Sequence, residues 1–314
     1  MHKCGHHFSS SSGSKRGELS RVVDRLDGFI SHDWRTSRVE KISALWVMYN
    51  ARAAIISSVL VAVLSTSVEL LVTSDVFWPT FKQREVDLAF ASTASTDRWP
   101  FLYRILCPAC LVLVVVYWQV FRKCFLRRPD MLFLDKLCIN QIDVEEKKAG
   151  IQGLAGFINQ SSRLKILWSK QYFKRLWCTY ELASWFYQDK NMQNIDFMPV
   201  SFAHALLLCT AWSCATWFII TSTPLLGLPW WWEVVIQICP VCLALGVVRS
   251  ASAAVHDLRD LPQQIGGFSI RDSRCFCCDR NHSDDAGQTI PCDRELVYEA
   301  LKRWFGEENV QDDS

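Results

Sequence analysis

The sequence predicts an α/β fold in which a parallel sheet shares the chain with helices that cross a membrane. Two short apolar runs with polar ends, at residues 131–134 and 164–168, are typical of buried parallel strands. A helical pattern lies between them and completes a strand–helix–strand unit. Four other windows are apolar over about 20 residues, which is the length that crosses a bilayer. We therefore expect one parallel sheet interrupted by two transmembrane hairpins.

The N-terminal part of the chain contains a tail and the first segment of the sheet. Residues 1–24 are rich in Ser and Gly and short of apolar residues, which predicts a flexible tail. In the segment 25–50, the run LDGFISHDW predicts a strand centred on Phe29 and Ile30 that leads into a polar loop. A helix with regularly spaced apolar residues should follow the loop. Such a loop after a parallel strand is where open sheets bind their ligands.

The four apolar windows form two predicted hairpins, at residues 51–124 and 202–249. Few charged residues interrupt these windows, and buried helices of soluble proteins are seldom so long and so uniformly apolar. The sequence therefore predicts four transmembrane helices, and with them a lipid bilayer as a partner. The predicted spans are residues 53–72, 101–121, 203–223 and 230–248.

The distribution of Lys and Arg predicts the orientation of the chain in the membrane. Basic residues cluster before the first span and after the second, whereas the connection 223–229 has none. Both termini and the segment between the hairpins should therefore face the cytosol.

The segment 125–201 contains the core of the predicted sheet. Asp143 and Glu146 form a capping pattern for the helix between the two strands. A second helix, at residues 175–187, is rich in aromatic side chains and carries one acid, Glu181, on the same stripe as Trp177. Considered alone, Glu181 could be a surface acid paired with Lys174 or Arg175.

The segment 250–314 combines a cysteine-rich loop with a C-terminal helix. Five residues of the loop offer three or four ligands for a structural zinc ion, although C-x-C-C is not a standard zinc-ribbon spacing. Buried or unpaired thiols are the alternative. After the loop, Asp293 can cap a helix that Gly306 ends, and residues 267–270 (GFSI) are a candidate fifth strand. The candidate ligands are Cys275, Cys277, Cys278, His282 and Cys292.

Composition argues against two classes of protein, those that bind nucleic acid and those stabilised by disulfides. The net charge is only +2 and the predicted topology accounts for the basic residues, so nucleic acid is not an expected partner. The 14 cysteines lie mostly in segments assigned to the cytosol or to lipid, which argues against a disulfide-stabilised fold.

Four motifs in this order resemble a TIR domain, the module of Toll and interleukin-1 receptors and of plant resistance proteins. DGFISH at 27–32 is similar to the first strand of that family, FLD at 133–135 to the second, and IDFMPV at 195–200 to the fourth. ILWS at 166–169 and RLWCTYEL at 175–182 resemble the plant-type third strand and its W-C-x-x-E-L helix. The resemblance implies a flavodoxin-like parallel sheet into which the membrane hairpins are inserted.

The resemblance also implies an activity, because a subset of TIR domains with a glutamate on this helix hydrolyses NAD. Glu181 would then be the catalytic carboxylate that binds ribose hydroxyls and assists the loss of nicotinamide through an oxocarbenium-like transition state. A carboxylate beside an electron-poor sugar stabilises such a charge. The function implied is NAD glycohydrolysis in stress or defence signalling, a form of innate immunity. The residues implied to bind NAD are Ser31, His32, Asp33, Trp34, Arg35, Asp135, Ser169 and Trp177.

Two other functions stay open at this point. Many TIR domains act as non-catalytic scaffolds that signal by associating with themselves or with other TIR domains. A channel or transporter would need charged side chains within the membrane, and Glu69, Arg104 and Glu233 all lie near the ends of predicted spans.

Overall fold

The computed structural model describes residues 23–73, 102–125, 130–139, 149–150, 152–226, 230–279, 281–283, 289 and 292–306. Two predicted features lie outside these residues: the tail up to residue 22 and the capping pattern of Asp143 and Glu146. The channel hypothesis depends on Glu69, Arg104 and Glu233. These residues lie in α-helices, but their side chains are outside the described part.

The chain divides into two compact units, each built from separate stretches of sequence. The sheet unit comprises residues 1–44, 128–205 and 250–314. The helical unit comprises residues 45–127 and 206–249.

The sheet unit contains four parallel strands in the order β2-β1-β3-β4. In register, Phe29 of β1 is opposite Phe133 of β2 and Leu164 of β3, and Leu164 is opposite Ile195 of β4. The two central strands are buried along their whole length, as expected for strands covered on both faces. The strands are β1 (Gly28–His32), β2 (Leu132–Phe133), β3 (Leu164–Trp168) and β4 (Ile195–Pro199).

Aromatic and aliphatic side chains fill the core of the sheet unit. The Phe29 and Phe133 rings stack with centroids 4.9 Å apart, and Phe157 stacks on Phe133 at 4.6 Å. Trp168 and Trp185 are fully buried. The predicted parallel α/β arrangement is thus present. The helices of the sheet unit alone are α3 (Asp135–Cys138), α4 (Leu154–Gln160), α5 (Leu176–Tyr187), α8 (Phe276–Asp279) and α9 (Asp293–Phe305).

Four long helices carry the apolar windows, and each is longer than its window. They are α1 (Arg38–Thr73), α2 (Leu102–Phe125), α6 (Val200–Leu226) and α7 (Trp230–Gly266). Three stretches are long and apolar enough to cross a membrane, namely Arg38–Val68, Ile105–Phe125 and Val200–Ile219. The fourth predicted span falls within α7, where the side chains of most residues from 230 to 243 lie outside the described part.

The expected strand at residues 267–270 is not formed. The Gly267 amide instead donates to the Gln263 carbonyl at 2.9 Å and closes α7, and Ile270 begins a 3-10 turn. The Tyr298 hydroxyl of α9 donates to the Ile270 carbonyl at 3.3 Å. Residues 267–270 thus pair with no strand of the sheet, and the described residues contain four strands in it.

Candidate functional site

The candidate site lies at the carboxyl ends of β1 and β3. The chain leaves β1 for β2 on one side of it and then crosses back to β3 on the other side, so the strand order reverses between β1 and β3. In open parallel sheets a ligand crevice forms at such a switch point. Residues from the β1 loop, from α3 and from α5 meet there.

Glu181 of α5 is buried in this site, with 6% of its surface exposed. Its side chain hydrogen-bonds to Ser31 of β1, whereas its Oε2 atom has no hydrogen-bond partner among the described residues. Burial raises the pKa of the Glu181 carboxyl well above its ordinary value, and the charge of Asp135 raises it further. The hydrogen bond to Ser31 acts in the opposite direction. Glu181 is therefore a buried acid with a raised pKa rather than a surface carboxylate.

Hydrogen bonds fix Ser31, the residue whose hydroxyl interacts with Glu181. The Ser31 hydroxyl lies 2.6 Å from the Tyr172 hydroxyl in the protein interior. Tyr172 is fully buried, and burial together with nearby Cys178 and Glu181 raises its pKa well above the ordinary value. The Cys178 thiol donates to the His32 carbonyl at 3.5 Å. Ser31 is thus held in place toward α5.

The end of β1 and the residue after it carry a buried histidine, His32, and a buried carboxylate, Asp33. Asp33 accepts from the Arg35 backbone N–H at 3.1 Å, and its carboxylate lies 3.5 Å from Nε of Arg175. Arg175 therefore pairs with Asp33, and Glu181 is buried, so the surface-pair interpretation of Glu181 is wrong. Burial lowers the pKa of His32 to about 4, against the smaller raising effect of Asp135.

Trp34 is the exposed aromatic side chain of this site. Its indole N–H donates to Oδ2 of Asp135 at 2.6 Å, and Lys41 donates to its backbone carbonyl at 3.2 Å. The side chain is nevertheless 49% exposed. An indole that is fixed at its nitrogen and open on its face can stack on a flat ring.

The remaining predicted NAD-binding residues have different surroundings. Ser169 follows β3 directly, and its hydroxyl has no hydrogen-bond partner among the described residues. The Trp177 indole donates to Asp293 of α9 at 3.2 Å, so it contacts the cysteine-rich segment rather than the β1 loop. Arg35 forms an ion pair of 3.2 Å with Asp279 of the same segment. The site thus brings together Ser31, His32, Asp33, Trp34, Asp135 and Glu181.

Sequence reasoning overlooked three residues that support the site. Tyr172, Arg175 and Cys178 hold the β1 strand and loop against α5. Their partners are more than 140 positions away along the chain, so no local pattern indicated these contacts. The one available signal was that all three lie within or beside the stretch that contains the W-C-x-x-E-L motif.

A second cluster, the thiol cluster, is formed by Cys277, Cys278, His282 and Cys292. The ligand atoms of these four residues all lie within 4.8 Å of one another, so they can hold a metal ion, and the set is compatible with zinc. Cys275 lies beside them, with its sulfur 3.0 Å from that of Cys277. All five predicted metal ligands are therefore close together.

Comparison of the chain with family models, with curated proteins and with solved structures gives no match.

Proposed function

We propose that this chain is a membrane-anchored, TIR-like protein whose sheet unit hydrolyses NAD, with Glu181 as the catalytic carboxyl group. The observation that carries the proposal is the buried Glu181 at the switch point, whose Oε2 lacks a hydrogen-bond partner among the described residues. A buried, incompletely satisfied carboxyl group in a crevice is typical of a functional site, because burial without a partner costs stability.

The order of the strands supports a flavodoxin-like, TIR-like fold. The order β2-β1-β3-β4 is that of the first four strands of the flavodoxin-like sheet, which binds its ligand at the β1/β3 switch point. The described residues contain no fifth strand of this sheet, and the chain continues from β4 directly into α6. Glu181, Trp34 and Asp135 then line the ligand crevice.

The chemistry assigned to Glu181 is the support of a developing positive charge. The bond between ribose C1′ and the nicotinamide nitrogen breaks, and its electron pair leaves with neutral nicotinamide. Water then adds to C1′ and loses a proton, which gives ADP-ribose. The charge of the ionised Glu181 carboxylate stabilises the oxocarbenium-like centre, and it acts strongly because the group is buried.

Trp34 and the basic residues of the site suit the rest of the dinucleotide. The exposed face of the Trp34 indole can stack on nicotinamide or adenine. Arg35 has its guanidinium at the protein surface, where it can exchange its ion pair with Asp279 for the pyrophosphate. Trp177 belongs to the proposed binding set only through the motif, since its indole nitrogen is bound to Asp293.

The membrane arrangement in the proposal has four spans in two hairpins. Three helices meet the length and hydropathy that a span requires, and the window within α7 provides the fourth. The excess of Lys and Arg before the first span and after the second puts both termini and the sheet unit in the cytosol. A role in stress or defence signalling follows from the TIR resemblance.

The test is release of nicotinamide from NAD by the full-length protein purified in detergent. We expect activity in the wild type and a loss of about 100-fold or more in Glu181→Gln, since the amide cannot supply a negative charge. Glu299→Gln is the matched control, because Glu299 is an exposed acid of α9 and should be replaceable without effect. If the wild type releases no nicotinamide, or Glu181→Gln is as active as wild type, the hydrolase proposal fails and a non-catalytic, self-associating scaffold takes its place.

A further inference from the structure

Three distances in the thiol cluster, all measured from the Cys278 sulfur, are close to those of a tetrahedral zinc site. For Zn–S bonds of about 2.3 Å and a Zn–N bond of about 2.0–2.1 Å, tetrahedral geometry requires S···S edges of about 3.8 Å and S···N edges of about 3.6 Å. The Cys278 sulfur lies 3.8 Å from that of Cys292, 4.0 Å from that of Cys277 and 3.6 Å from Nε2 of His282. We propose that Cys277, Cys278, His282 and Cys292 bind one structural Zn²⁺ ion.

The backbone turns sharply to bring His282 back onto the cysteines. Asn281 and His282 both have positive φ angles, of 50° and 56°, and the His282 N–H donates to the Cys277 carbonyl at 2.7 Å. Two successive non-glycine residues in the left-handed region are unfavourable unless their surroundings hold them there. Coordination of His282 to a metal supplies such a restraint. The antiparallel bridge between Ser283 and Thr289 then returns the chain toward Cys292.

The groups around the cluster suit a site with three thiolates. The backbone N–H of Asp293 donates to the Cys277 sulfur at 3.3 Å, and the Arg294 side chain hydrogen-bonds to Cys278. Three thiolates and Zn²⁺ carry a net charge of −1, which the adjacent guanidinium offsets. Such outer contacts orient ligands and adjust their basicity.

Cys275 is the one predicted ligand that this geometry excludes. Its sulfur lies only 3.0 Å from that of Cys277, which is much shorter than a tetrahedral edge, and it is directed to Asp293 at 3.8 Å. Cys275, Cys277 and Asp293 form a set of only three ligands, whereas the other set offers four. Cys275 is therefore assigned as a neighbour of the site and not as a ligand.

The proposed zinc site fixes the cysteine-rich segment against α5. The Leu176 N–H donates to the Arg274 carbonyl at 3.2 Å, and the Arg274 N–H donates to the Lys174 carbonyl. Trp177 donates to Asp293, the residue after the ligand Cys292. The ion therefore stabilises the segment that covers the start of the helix that carries Glu181, whether or not Glu181 acts on NAD.

The experiment measures zinc in the full-length protein purified in detergent with a reductant that does not chelate metals. Wild type should carry about one equivalent of zinc per chain. Cys278→Ser and His282→Ala should keep less than about half of it. Cys275→Ser is the matched control from within the segment, and it should keep the wild-type content.

A second measurement protects the test against variants that fail to fold. Zinc is removed from the wild type with a chelator, which should lower its melting temperature by several degrees or more, since a structural metal contributes to folding. Added Zn²⁺ should restore the melting temperature and Mg²⁺ should not. Wild type with less than about half an equivalent of zinc, or with a melting temperature that the chelator leaves unchanged, would overturn the proposal, and loss of zinc from Cys275→Ser would overturn the ligand set.

Discussion

The sheet unit and the helical unit differ most in what surrounds their large apolar side chains. In the sheet unit, Phe29, Trp168 and Trp185 are completely buried. In the helical unit, Leu60 of α1 is 56% exposed and Leu64 is 63% exposed. In water, each such side chain would forgo roughly 1.5–3 kcal/mol of burial free energy. The exposed apolar side chains of the helical unit are compatible with helices that cross a membrane, three of which are long and apolar enough to do so.

The two units also differ in the polar groups that they bury. The sheet unit buries ionisable side chains, including His32, Lys41 and Glu181, around its switch point. In the helical unit, the described buried polar groups are neutral, for example Asn50 and Ser65. Buried ionisable groups cost stability and therefore concentrate at functional sites. The buried ionisable groups of the sheet unit therefore make it the place where the proposed chemistry is to be tested.

The largest expected effect is the truncation of a core side chain in the sheet unit. Phe29→Ala should lower the free energy of unfolding by about 3–5 kcal/mol, because it leaves a cavity against Phe133. Leu60→Ala in α1 should cost less than about 1 kcal/mol, since a side chain that faces lipid leaves no cavity. Denaturant unfolding in detergent, followed by tryptophan fluorescence, measures both. A cost at Leu60 equal to that at Phe29 would mean that protein covers this face of α1.

The next effect is a pH dependence that the sheet unit should confer. The pKa of His32 is lowered from 6.5 to about 4 by burial, so the unfolded chain binds a proton that the folded chain excludes between these values. Stability is therefore complete above pH 6.5 and falls as the pH decreases toward 4, by up to roughly 3 kcal/mol. Melting temperatures measured across this window should show the slope, and His32→Gln should remove most of it.

Glu181 provides a contrast of opposite sign for that experiment. Its pKa is raised in the folded protein, so its contribution is most favourable at low pH and is lost as the pH rises above the unfolded value of 4.5. Glu181→Gln should therefore stabilise the protein near neutral pH while it leaves the acid-side loss due to His32 in place. If Glu181→Gln and His32→Gln changed the dependence of the melting temperature on pH in the same direction, these assignments would be wrong.

The strands and the aromatic helix could be predicted because their signals are local. The apolar run at 164–168 coincides with β3, the motif at 195–200 contains β4, and the helix predicted at 175–187 contains α5. The continuity of α1 could not be predicted in the same way. Its amphipathic first part and its apolar second part differ in pattern, yet no Gly or Pro separates them between Tyr49 and Ala53, and the helix continues through both.

Sequence motifs could identify individual residues of the candidate site but not their contacts. The W-C-x-x-E-L pattern singled out Glu181, but helical spacing could not tell whether Trp177 contacts the β1 loop or Asp293. The ion pair of Arg175 with Asp33 joins residues far apart in sequence. In the cysteine-rich segment, spacing alone could not distinguish Cys275 from the four residues of the thiol cluster, whose ligand atoms all lie within 4.8 Å of one another. Those distinctions depend on tertiary packing.

The smallest effect we predict concerns the amide contacts inside the helical unit. Asn50 of α1 donates to the Val115 carbonyl of α2 at 2.7 Å and accepts from the Gln119 side chain at 2.8 Å, so it joins two helices. Hydrogen bonds between transmembrane helices contribute about 0.6 kcal/mol on average, and Asn50→Leu, which removes two, should cost about 1 kcal/mol. Ser57→Ala is the matched control, because Ser57 bonds only to carbonyls of its own helix at Ala53 and Ala54. If both variants unfold at the same denaturant concentration as wild type, α1 and α2 are held together by apolar packing alone.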